Sequence, residues 1–128
     1  SERHQDIISY FVARLYDKAR DNNCKFTQGV GIKFDDYHYF IPDMTVLCAE
    51  TLPRVVMEVL SPGNYLYDLG QKMKAYRYFD VEEYWIIDPE HKTITLYWLQ
   101  ENTSKFFEPG ETAQSAIYPW LNILVQFN

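Results

Sequence analysis

Residues 54–60, Arg54-Val55-Val56-Met57-Glu58-Val59-Leu60, and residues 84–88, Tyr84-Trp85-Ile86-Ile87-Asp88, are short apolar runs with almost no polar alternation. A strand with one face in water alternates, so such runs read as strands covered on both faces. Between them Leu66, Leu69, Met73 and Tyr76 recur at three- and four-residue spacing, which predicts an amphipathic helix. Buried strand, crossover helix and buried strand make a right-handed βαβ unit. Few arrangements of the remaining segments are compatible with it.

Ile7, Ile8, Phe11, Val12, Leu15, Tyr16 and Ala19 predict a helix at the start of the chain, stopped by Asp21-Asn22-Asn23. Residues 25–34 read as β, with Gly29 and Gly31 as bends, Asp35-Asp36 as a turn and residues 37–41 returning to a strand that begins at Asp43. Ser61-Pro62-Gly63-Asn64 breaks the chain, with Asn64 as cap of the second helix, and Phe79-Asp80 ends that helix. Residues 93–99 alternate as a hairpin partner for 84–88. Short β segments follow around Phe106, around Ile117 and over 121–127, with Pro109-Gly110 as a turn. The expected fold is α/β, bordering on α+β, with a mixed β-sheet core flanked by helices. A chain of 128 residues suits a single domain. It opens on Ser1 rather than Met, so an N-terminal segment of the natural protein is expected to precede it.

With 11 Tyr, 8 Phe and 3 Trp, much of the core must be built from rings, Trp85 and Trp98 among them. No stretch approaches the ~20 apolar residues of a membrane helix, and a cytoplasmic location is expected. Cys24 and Cys48 lack metal-ligand spacing, so reduced thiols are expected and zinc is not. A formal charge of -6 argues against broad electrostatic binding of nucleic acid, unless clustered acids hold a cation.

The acids are where the chemistry lies. An ionised carboxylate at Glu58, among Val and Met, costs several kcal/mol to bury without a metal, a basic partner or a proton. Asp43 opens the preceding strand-like run, and Lys72 projects from the following helix. Two carboxylates holding Mg2+ or Mn2+, with a lysine to orient water or stabilise charge, suit phosphodiester hydrolysis. Plainer readings stand beside this one: Asp43 as a turn cap, and Lys72 in a surface ion pair with Asp68 worth a few tenths of a kcal/mol. His38 and His91 read as solvated. Ser61 lacks the context of a serine nucleophile.

Pro42-Asp43, then Glu58-Val59-Leu60-Ser61-Pro62, then Asp68, Lys72 and Tyr76 at four-residue steps, then Glu83-Tyr84-Trp85-Ile86-Ile87-Asp88-Pro89 together resemble the Uma-type restriction endonuclease family, within the PD-(D/E)XK nuclease superfamily. The opening Ser1-Glu2-Arg3-His4-Gln5 is similar to the start of that family's first helix. The resemblance implies a restriction-endonuclease-like core and a Mg-dependent DNA endonuclease, with Mn2+ as a substitute ion. Asp43, Glu58 and the Val59 backbone carbonyl would be the metal ligands and Lys72 the assisting cation, with Lys74 as fallback. Glu2, His4 and Tyr76 are accessory candidates, and a homodimer would supply one site per DNA strand. Three departures stand out. Leu60 occupies the place of the superfamily lysine, Asp80 replaces a small residue, and the link from Asp43 to Glu58 is short enough to suggest a missing loop. The alternative is a catalytically silent interaction module on the same fold.

Overall fold

The computed structural model describes residues 2–61 and 65–127, the side chains of residues 65–67 excepted. The expected Asn64 cap and the Leu66 contact lie outside the described residues.

Helix α1 (Glu2–Asp21) buries Ile7, Ile8, Phe11, Leu15 and Ala19, the predicted stripe. Tyr16, expected on that stripe, is 51% exposed, because it lies one residue past Leu15 and turns away from the sheet. The helix ends where Asn23 takes the left-handed region (φ 57). Cys24 N–H then donates to the Ala19 carbonyl at 2.8 Å and Asn23 N–H to Arg20 at 3.1 Å, a Schellman closure. That closure delivers the chain into β1 (Lys25–Gln28).

Gly29 (φ 62) ends β1. The next residues form a hairpin of their own, β2 (Ile32–Lys33) with β3 (Tyr39–Phe40), which pairs with neither β1 nor β4. The continuous strand expected over residues 25–34 is therefore interrupted. After Asp43 come β4 (Met44–Leu47), β5 (Val55–Val59), α2 (Tyr65–Tyr78) and β6 (Glu83–Asp88). Strands β7 (Thr93–Trp98), β8 (Thr103–Phe107), β9 (Thr112–Gln114) and β10 (Asn122–Leu124) complete the chain. Ile117, expected in a strand, lies in a bend whose N–H groups at 117 and 118 donate to Ser115 Oγ.

The main sheet has the order β1-β4-β5-β6-β7-β8. Only β5 and β6 run parallel, joined by α2 in the βαβ unit; the remaining neighbours are antiparallel. This is the mixed sheet with flanking helices that the apolar runs imply, and every residue of β5 is buried. Val55, Met57 and Val59 face one way, into a core with α1, Phe26, Trp85 and the C-terminal residues Leu121, Ile123 and Val125. Val56 faces the other way, into a smaller cluster with Tyr76, Val81, Tyr84 and Ile86, against which Phe34 and Phe40 of the β2–β3 segment pack.

The two cysteines are joined by a disulfide, which corrects the expectation of reduced thiols. The cause is the ladder: Lys25 lies opposite Leu47, so Cys24 and Cys48 occupy the next rung, with Cα atoms 4.0 Å apart. No helix among the described residues is long and apolar enough to cross a membrane.

Candidate active site

Strands β4 and β5 pair with Met44 opposite Met57 and Thr45 opposite Val56. Continued one rung further, that register sets Asp43 opposite Glu58. Directly opposed residues of an antiparallel pair share a face, so both carboxylates point to the α2 side. Residues 48–54 are enough to make this ladder, and no longer link is needed for the acids to meet.

Val59 N–H donates to Asp43 Oδ2 at 2.7 Å and fixes the carboxylate where the ladder ends. His4 Nε2, from the first turn of α1, stands 3.3 Å from the same oxygen. Arg3 secures that end of α1 by donating to the Pro89 carbonyl, just beyond β6. Lys72 Nζ donates to Glu58 Oε1 at 3.2 Å. The lysine therefore crosses to the sheet rather than taking the Asp68 pairing of the plainer reading. His4, Asp43, Glu58, Val59 and Lys72 line a pocket of about 240 Å³, with Ile41, Leu60, Ser61, Asp68, Leu69 and Tyr84 completing its wall.

Glu58 is 8% exposed. Its pKa is pushed up to about 7: burial dominates, the Lys72 charge opposes it, and the nearby Asp43 charge adds to it. The Tyr76 and Tyr84 hydroxyls lie buried beneath it without a hydrogen bond of normal geometry. Burial first, and then the Glu58 charge, hold both phenols protonated well above their usual range.

The arrangement fits a hard divalent cation. Mg2+ takes one or two carboxylates and keeps several waters rather than demanding a full protein cage. Asp43 and Glu58 offer two carboxylates facing one pocket, and Val59 lines the same pocket. Among the described residues no group of three or more His, Cys, Asp or Glu could hold a metal ion, so a cation here would rest on these two carboxylates and water. A buried carboxylate raised by burial and by a like charge is also what a bound cation would relieve.

Of the residues singled out in the sequence, Asp43, Glu58, Val59, Lys72 and His4 converge on this pocket. Tyr76 lies below it. Lys74 is not among its lining residues and lines a neighbouring pocket instead, because it is two positions round the helix from Lys72. Glu2 is exposed and outside the pocket. Tyr84 was not singled out; its position one strand over from Glu58, on a ladder pairing Glu58 with Ile86, is set by pairing that the sequence does not display.

A second buried carboxylate has a structural role. Glu83 is 0% exposed and accepts from Trp85 Nε1 at 3.0 Å, Trp98 Nε1 at 2.9 Å and Ala116 N–H at 2.6 Å. It ties β6, β7 and the C-terminal bend together. Trp85 is fully buried and Trp98 packs against the same core, as the ring-rich composition implies.

A mixed sheet with a carboxylate pair at the end of a βαβ strand and a lysine from the crossover helix defines a nuclease-like fold. The chain matches the Uma2 family, described as "Putative restriction endonuclease", over residues 1–126 and belongs to that family. A crystal structure of "a putative nuclease belonging to DUF820" from Anabaena variabilis ATCC 29413 superposes with a TM-score of 0.76 at 20% identity, covering 96% of this chain and 78% of that one. The cryoEM structure of a DrdV–DNA complex superposes with a TM-score of 0.53 at 18% identity, over 86% of this chain and 12% of that one. At such identities the likeness shows the fold. No curated protein matches the chain.

Proposed function

We propose that this domain is a divalent-metal-dependent DNA endonuclease, with Asp43, Glu58 and the Val59 carbonyl holding Mg2+ or, in its place, Mn2+. The observation that carries the reading is Asp43 opposite Glu58 on one sheet face, with the Lys72 ammonium on Glu58. When bound, the ion supplies Lewis acidity for the attacking water and neutralises charge on the phosphate. Val59 N–H and His4 hold the Asp43 carboxylate in one orientation. Lys72 balances Glu58 and stands ready to stabilise charge that develops on the phosphate oxygens. Water adds to phosphorus, the bond to the sugar oxygen breaks, and the proton lost by the water is returned to the leaving oxygen. The use of DNA is an inference from family and fold. Cleavage of both strands would call for a homodimer, one site per strand. The disulfide removes the thiol argument for a cytoplasmic location.

Manganese titration by calorimetry on wild type, Glu58→Gln and Lys72→Ala, followed by plasmid nicking, tests this. Wild type should bind the ion and nick. Glu58→Gln should lose both. Lys72→Ala should keep binding and lose about 100-fold or more in rate, the scale of one electrostatic donor. A wild type that binds no ion would favour the silent interaction module, for which Leu60 in the lysine position already speaks.

A further inference from the structure

Next to the acid pocket lies a larger one of about 600 Å³, between the β2–β3 hairpin and the outer face of α2. Its wall is aromatic, from His38, Phe40, Tyr78 and Phe79, and Lys74 also lines it. Asp68 and Lys72 line both pockets, so the two adjoin along α2. Phe79 is held rigidly: it stacks on Phe34 at 5.0 Å between centroids and takes the His38 ring edge-on at 5.1 Å. Tyr78 stands edge-on to Phe79 at 5.0 Å yet remains 77% exposed. An aromatic of that size left in water beside a supported aromatic floor has no role in the core.

From this arrangement we infer that the α2–hairpin pocket binds an unpaired DNA base whose adjoining phosphate sits at the acid pocket, an inference that rests on the nuclease reading above. A duplex gripped by its backbone needs a row of cations, each neutralising a phosphate. The chain carries a net charge of -6, and the lysines lining these pockets are Lys72 and Lys74. Stacking asks for no such row, because every base offers a π-face and an exposed ring such as Tyr78 can seat it. At about 600 Å³ the pocket is roomy enough to take a base. Lys74 lines the same pocket, and its charge suits a phosphate of the bound strand. The substrate would accordingly be single-stranded DNA, or duplex with a base turned out of the stack.

The test is binding without cleavage. Fluorescence anisotropy and 2-aminopurine quenching would be measured in EDTA with a single-stranded oligonucleotide and with its duplex. The proteins would be wild type, Tyr78→Ala, Tyr78→Phe and Asp43→Asn. Wild type should bind the single strand more tightly than the duplex and quench the probe. Tyr78→Ala should weaken single-strand binding by about 5- to 100-fold, the scale of one lost base stack. Tyr78→Phe, which keeps the ring, should restore it. Asp43→Asn removes a negative charge beside the phosphate, so it should bind at least as tightly as wild type but fail to nick in manganese, which separates this inference from the nuclease reading. Equal affinity for the duplex, or single-strand binding indifferent to Tyr78→Ala, would overturn the inference even if nicking is intact.

Discussion

Burial decides the charge state of Glu58, and this has a consequence for stability. Its folded pKa of about 7 lies above the ordinary 4.5. A carboxyl raised on folding favours the folded state fully below its unfolded pKa, and that advantage is lost as pH rises through the folded value. Metal-free wild type should therefore lose stability relative to Glu58→Gln between pH about 4.5 and 7, by about 3 kcal/mol. Gln cannot ionise and still offers Lys72 a carbonyl. Urea unfolding of both proteins in EDTA at pH 5 and pH 8 checks it; a difference that does not change with pH would contradict a raised Glu58. The same contrast explains why this residue could be picked out in the sequence, since a charge inside Val-Val-Met-Glu-Val is conspicuous without any structure. His4 carries no such contrast and comes into view only through the family resemblance. Its approach to Asp43 depends on where the start of α1 lands against the end of β4, a tertiary fact. Glu83 was equally hidden, because its three donors come from residues 85, 98 and 116.

At the scale of elements, both helices end in the same way. Asp80 (φ 65) does after α2 what Asn23 does after α1: Val81 N–H donates to the Tyr76 carbonyl at 2.9 Å and Asp80 N–H to Arg77 at 3.2 Å. Chain direction then reverses into β6, whose start is fixed by the Glu82 and Glu83 N–H groups donating to the Arg54 carbonyl. The Arg54 guanidinium grips Glu82 with two bonds, at 2.6 and 2.9 Å. The aspartate noted as a departure from its family is thus the left-handed residue of a helix stop. Side chains other than glycine pay roughly 1 kcal/mol for that backbone, Asp and Asn less than most. Asp80→Gly should leave fold and activity intact and raise stability by up to about 1 kcal/mol, read as a higher urea midpoint at constant slope. A lower midpoint would mean that the carboxylate does more than tolerate the turn. Helix ends and the β5–α2–β6 unit were legible because their signals are local. The β2–β3 excursion was not, since a two-residue strand has no periodicity to read.

Across the whole molecule, α1 and β4 are fastened at both ends. At one end His4 meets Asp43; at the other the Schellman turn passes through Cys24, bonded to Cys48. Between these points Ile7, Phe11, Leu15 and Ala19 share one core with Met44 and Val46. The disulfide closes a loop over a sequence separation of 24, which restricts the unfolded chain enough to stabilise the fold by about 3 kcal/mol. Its effect on the acid pocket should be far smaller. Asp43 is placed by the β4–β5 ladder and by Val59 N–H, both formed without the bridge. Cys24→Ala/Cys48→Ala should therefore unfold at a lower urea concentration, with a steeper slope as the freed chain exposes more surface. Its manganese affinity, measured well below the unfolding midpoint, should stay within a factor of two or so of wild type, because a difference that small is under about 0.5 kcal/mol. An affinity that collapses with the bridge would show that the far end of α1 sets the position of Asp43, and that the site and the fold share one fastening rather than two.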